Sequence, residues 1–352
     1  MKRIFYFTLV LFISQSCSTE SFETINLSKS PKQFADFFEC KDSVLLSPKE
    51  FTTPISITLT PNGSFLLCDY EKKKVQLLDA KGTFEKDILQ DTINGNKIGS
   101  PISVAYNGSN GNYYIADNSN RRIHILDSLF HYQKSFIISG SHMTPVFMQS
   151  IGKDLYMAGH NINNNKYIHI YSVNGKYKKS FLTSSCPIKD NKYVIGAINY
   201  VKFDTLNHCF YGIETLNYTI SVYDSACKTV RRVKFSADYF QALNRDTVKT
   251  IKHSFEEIRN SFAKPNYIFN VQNRLCVFSE MPSQESDSSD YFNTRRYNMD
   301  IFNADFSNNF CGFNIGTYIP VGYNKKSNLF YFLTNHNRAN NTYTIKIFKP
   351  KF

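Results

Sequence analysis

The sequence predicts an all-β chain: a six-bladed β-propeller of four-stranded blades, closed by an N-terminal strand and carrying one inserted amphipathic helix. Three observations predict it. A motif recurs every 45–50 residues. Each copy holds four short β-rich runs separated by turn residues. The last copy ends one strand short, and the N-terminal region holds a spare strand. A period of that length with four strands per unit is the signature of a propeller blade.

The repeat is read element by element. Pro54-Ile55-Ser56-Ile57 matches Pro101-Ile102-Ser103-Val104, and each run leads to a Gly/Asn turn. Phe65-Leu66-Leu67-Cys68-Asp69 then matches Tyr113-Tyr114-Ile115-Ala116-Asp117, and Val75-Gln76-Leu77-Leu78-Asp79 matches Ile123-His124-Ile125-Leu126-Asp127. Further copies are marked by Ile168-His169-Ile170-Tyr171 and Ile220-Ser221-Val222-Tyr223-Asp224, with looser ones near 267–302 and 318–348. Inner strands are expected to start near 54, 101, 145, 198, 267 and 318.

An incomplete last blade would leave an unpaired strand edge. Residues 43–47, Ser43-Val44-Leu45-Leu46-Ser47, are expected to close it beside Thr342–Phe348, with 18–42 as a tether and arm outside the repeat. The long gap after the fourth copy places Val248, Ile251, Phe255, Ile258 and Phe262 on one helical face, with Asp246 as N-cap and Pro265 past the end. This predicts a helix at about 247–263.

The chain has 352 residues, long enough for one large core. Its composition, 42% hydrophobic and 20% charged, excludes disordered and fibrous classes. Eight cysteines include no CxxC and no zinc-ligand spacing, so they read as small buried hydrophobes. Lys2 and Arg3 precede an apolar run from Ile4 to Ile13, too short to span a bilayer, which marks a secretory signal. The Ser14-Gln15-Ser16-Cys17 that follows resembles a bacterial lipobox, which implies lipid attachment at Cys17. Removing Lys2 and Arg3 leaves a net charge of +10, which favours an acidic ligand or surface.

The run Tyr114-Ile115-Ala116-Asp117-Asn118-Ser119-Asn120-Arg121-Arg122-Ile123 resembles an NHL-type repeat. The chain from Cys17 onward is similar to the six-bladed propeller lipoproteins of Gram-negative bacteria. That resemblance implies an envelope or outer-membrane address with the lipid anchor as membrane contact, and a monomer.

In such a ring, short plain turns fall on the bottom face at 60–63, 79–82, 151–154, 172–175 and 324–328. The long loops 159–166, 281–295 and 334–342 fall on the top. Ligand contacts are therefore expected from top-face residues: Ser100, His142, His160, Asn199, Asn266, Tyr318 and His336. Asp69, Asp117, Glu214 and Glu280, at the ends of second strands, are expected to tie down their own loops. The sequence favours a non-catalytic module for a protein, peptide or glycan ligand, without nucleic acid, cofactor or metal. The alternative is a propeller hydrolase or lyase with a central metal. The first residues of its inner strands, near Thr53, Ser100, Thr144, Asn199, Asn266 and Thr317, offer neither carboxylate nor imidazole to such an ion.

Overall fold

The computed structural model describes residues 23–51, 54–90, 92–93, 96–138, 145–161, 166–183, 203–206, 209–214, 218–241, 261–282, 294–307, 309–337 and 339–352. The expected sites Cys17, His142 and Asn199 lie outside these residues, as do 247–260 of the expected helix.

Six antiparallel sheets follow one another along the chain. Their inner strands are Pro54–Leu59, Pro101–Tyr106, Phe147–Ile151, Phe203–Leu206, Lys264–Val271 and Ile319–Asn324. The inner strand of blade six lies against that of blade one, which closes the ring. Blade five starts at Lys264, three residues before its expected position, because a bulge between Pro265 and Tyr267 lengthens the ladder. Ser261, Phe262 and Ala263, the expected end of the helix, are not helical. The Ala263 amide donates to Gln241 O (2.7 Å), and Lys264 before Pro265 is pushed to extended backbone.

One turn between third and fourth strands recurs in five blades. Its first residue is Asp79, Asp127, Ser172, Asp224 or Asn303. The residue three later takes positive φ: Gly82, Phe130, Gly175, Cys227 or Phe306. In each, that later amide donates back to the first residue's carbonyl. Asp79 also accepts the Lys81 and Thr83 amides, and Asp127 those of Leu129 and His131. This is why the sequence repeats Asp here: its carboxylate closes the hairpin. Gly82 is required, since a Cβ there would collide with the Leu45 carbonyl of the closing strand.

A second repeated device is a cation on the fourth strand; the match of Lys134-Ser135-Phe136 to Lys179-Ser180-Phe181 marks the repeat in the sequence, but not its role. Lys86, Lys134, Lys179 and Arg231 occupy one register position on the fourth strands of blades one to four. Each reaches the bottom turn of the following blade. Lys86 sits over the Phe130 ring, Lys134 meets Asn174, Lys179 donates to Ala226 O (2.6 Å), and Arg231 donates to Asp305 O (2.9 Å). These cations latch successive blades along the rim.

Blade six is completed by Phe38–Leu46, antiparallel to Thr342–Pro350, with Ser43 opposite Lys346 and Leu46 opposite Tyr343. The strand begins five residues before the expected Ser43, because Phe38 and Leu46 anchor its two ends in the core. Part of the expected free arm is also paired: Glu23–Leu27 lies parallel to Thr229–Ala237 as a fifth strand on blade four. Ile25 and Leu27 alternate toward the blade-four core, a period-two pattern that suits a strand. Arg231 grips Glu23 with two bonds of 2.7 Å. A helical turn at Phe34–Phe37 then presses Phe37 onto Phe310 and Phe313.

The described cysteines form no disulfide. Cys68, Cys276 and Cys311 are buried as expected, and burial pushes the Cys68 thiol up to about 12. Cys40 is exposed and Cys209 and Cys227 half-buried, because they sit on an edge strand and at bottom turns.

Candidate functional site

Directions follow from the strand order. Inner strands run from top to bottom, so connections between second and third strands emerge on top. On blade five that connection follows Arg274–Glu280 and returns into Tyr297–Asn303. Its base is closed by the Met281 amide donating to Arg296 O (2.9 Å).

Beneath that base lies a buried polar knot. Glu280 is wholly buried, and its Oε1 meets Lys264 Nζ at 3.2 Å and Arg295 Nη1 at 3.1 Å. Its Oε2 accepts from Asn266 Nδ2 (2.8 Å). Lys264 and Asn266 start the inner strand, whereas Glu280 and Arg295 are the two roots of the loop. Lys264 Nζ also stands over the Phe262 ring (5.2 Å). Buried charges hold only while each is paired, so the knot fixes both roots to the inner strand.

The other expected site residues go to different places. Ser100 is buried; its amide donates to Asp117 Oδ1 (2.8 Å) and its hydroxyl accepts from Ser119 Oγ (2.7 Å). Tyr318 packs on Phe34, Phe332 and Phe348, and its hydroxyl accepts from Lys346 Nζ (3.1 Å). His336 stacks on Tyr343 at 4.4 Å, and its Nε2 donates to Asn341 Oδ1. Asn341 in turn donates to Phe51 O, tying the top loop of blade six to the approach to blade one. His160 lies in Asp154–Asn161. Among the described ones, only Asn266 joins a charged cluster under a long top loop. Lys264 and Arg295 escaped the sequence reading, although Glu280 at a second-strand end pointed to that spot.

Strand-end carboxylates act as expected in blades one and two. Asp69 accepts the Glu71 and Lys72 amides. Burial raises the affinity of Asp117 for a proton. The bonds from His124, the Gly99, Ser100 and Asn120 amides more than offset this and hold its carboxyl well below the usual range. Glu214 instead pairs with Arg232 at 2.5 Å.

A polar residue occupies the middle of the third strand in all six blades: Gln76, His124, His169, Ser221, Asp300 and Lys346. Each ties an outer strand to its surroundings. Gln76 exchanges bonds with the Lys49 backbone, and His169 Nε2 donates to Gly159 O (3.0 Å). Asp300 and Lys346 were legible through the match of Met299-Asp300-Ile301-Phe302 and Ile345-Lys346-Ile347-Phe348 to the other blades.

Asp300 is wholly buried and joins blades four and five. It accepts from the hydroxyls of Tyr218 and Tyr239 (2.8 Å to the latter) and from the Gly312 amide (2.7 Å). Burial pushes its carboxyl up to about 6, against these three donors. The folded state therefore holds the proton more tightly than the unfolded chain. This stabilisation is fully present below the ordinary carboxylate range and is lost as pH rises through about 6. Asp300→Asn mimics the protonated acid. Its melting temperature should fall less than that of the native protein between pH 4 and pH 7, by the equivalent of about 2 kcal/mol. Parallel pH profiles in thermal melts would count against this.

Among the described residues, no three His, Cys, Asp or Glu side chains converge as metal ligands. No protein-family profile matches the chain, and no curated protein matches it by sequence. Solved structures match the fold. A Bacteroides fragilis protein named as a candidate exported protein superposes with a TM-score of 0.64 at 8% identity, over 93% of this chain and 99% of that one. A member of the DUF4221 family from Bacteroides vulgatus gives 0.57 at 12%, over 90% and 99%. Kuenenia stuttgartiensis hydrazine synthase gives 0.51 at 12%, over 81% and 75%. At these identities the likeness is one of fold, and this chain is a six-bladed β-propeller.

Proposed function

We propose that the chain is an envelope lipoprotein, anchored through Cys17, whose NHL-like propeller works as a non-catalytic binding module through its top face. One observation carries the reading. The bottom turns are short and repeated, three of them closed by the carboxylates of Asp79, Asp127 and Asp224, whereas the longest connections rise from the top. The one on blade five stands on roots held by the Lys264–Glu280–Arg295 knot. A long loop on rigid roots is how propellers present contacts at low ordering cost. The net charge of +10 that remains without Lys2 and Arg3 favours an acidic group on the partner. The Bacteroides fragilis neighbour named as a candidate exported protein supports an address beyond the cytoplasm.

A photocrosslinking residue placed at Ala339 in the top loop of blade six, or at Asn62 in a bottom turn, tests this in producing cells. Both positions are exposed. Adducts are expected from Ala339 and not from Asn62; the reverse pattern would overturn the assignment.

A further inference from the structure

The course of the N-terminal arm sets which side of the propeller faces the membrane. Glu23–Leu27 runs parallel to Thr229–Ala237, and the latter strand rises from the bottom turn that ends at Lys228. Glu23 stands opposite Val233, midway up that strand, and the paired segment runs from there toward the top. Arg231 clamps Glu23 there, and its third bond goes to the bottom turn of blade five. Six residue steps separate Cys17 from Glu23, a reach of at most about 21 Å. An anchor on Cys17 thus holds Glu23, on the outer edge of blade four, within about 21 Å of the bilayer.

The bottom surface beside that edge has the matching chemistry. Lys153, Lys176 and Lys228 are exposed on the bottom turns of blades three and four and make no ion pair among the described residues. Lys178 is exposed beside them and paired with Asp154. Two of the exposed large apolar side chains, Tyr177 (43%) and Val230 (62%), begin the outer strands at the same level. The two bottom turns adjoin, since Lys179 of blade three donates to Ala226 in the turn of blade four. The nearby carboxylates are engaged: Glu23 by Arg231, Asp154 by Lys178, and Asp224 by the Lys228 amide. Lysines interleaved with exposed apolar side chains suit a headgroup layer, where each cation gains from anionic lipid and the apolar groups enter the interface.

We propose that the bottom surface of blades three and four, formed by Lys153, Lys176, Lys178, Tyr177, Lys228 and Val230, rests on anionic lipid headgroups. The top face then points away from the bilayer. This rests on lipid attachment at Cys17 and adds an orientation to it.

Amine acetylation of the protein on its native membranes, compared with a lipid-free chain beginning at Ser18, tests the proposal. Lys153, Lys176 and Lys228 should react at least about tenfold more slowly on membranes, while Lys72 and Lys73 in the top loop of blade one react equally in both. Equal rates at the bottom surface would overturn it. Protection there that vanishes when the anchored protein is reconstituted into vesicles of pure phosphatidylcholine and phosphatidylglycerol would assign the bottom surface to an acidic protein, which also overturns it. The anchor is read separately: a Cys17→Ala protein that still needs detergent for release refutes lipidation. The bottom surface is then decided by flotation of the Ser18 chain with the same vesicles. Binding there should fall at least about tenfold with K153E/K176E/K228E; unchanged or absent binding overturns the proposal.

Discussion

A chain beginning at Ser47 should not form a stable propeller, whereas one beginning at Ser28 should fold. The first lacks the strand Phe38–Leu46, which pairs with Thr342–Pro350 along its length. Its loss strips the hydrogen-bonding edge of blade six and removes Phe37, Phe38 and Leu46 from the core. Truncating one buried Phe or Leu costs about 2–5 kcal/mol, so losing three consumes most of a typical stability of about 5–15 kcal/mol. The second chain loses only the fifth strand of blade four, the Arg231–Glu23 clasp and the burial of Leu27. It should remain folded and unfold a few kcal/mol more easily. Size-exclusion chromatography and thermal melts decide the matter. Equal melting of the two chains would mean that ring closure does not depend on this strand.

Glu280→Ala should be among the most damaging single substitutions on the top face. It leaves Lys264 and Arg295 buried around a missing carboxylate, and breaking a buried ion pair from one side costs about 3–5 kcal/mol. Denaturant unfolding should show that loss. Hydrogen exchange should show faster opening at the Met281 amide, whose bond to Arg296 closes the loop base. Glu280→Gln keeps acceptor and shape and should cost less. The double variant Glu280→Gln with Lys264→Met removes one of the two cations bound by this carboxylate and should recover part of the difference. Native-like stability of Glu280→Ala would show that the roots of the loop are not held by these charges.

The sequence by itself determined the architecture, because a propeller is specified locally. Each blade is a meander of short strands, and its turns are written in residues with mechanical roles, such as Asp79, Asp127 and Asp224 closing the same hairpin. Even ring closure was legible, since it follows from a missing strand at one end and a spare one at the other. The tertiary structure alone decided where side chains at equivalent repeat positions go. Ser100, Asn266 and Tyr318 open or precede inner strands alike. Yet Ser100 is tied to Asp117, Asn266 to Glu280, and Tyr318 to Lys346 and an aromatic cluster. Strand periodicity does not distinguish these fates, because both faces of a blade are buried against its neighbours. The grip of Arg231 on Glu23 more than two hundred residues away and the pairing of Lys264 with Arg295 through Glu280 join segments with no shared local pattern. Such long-range pairs depend on how blades stack in three dimensions, which no local periodicity encodes.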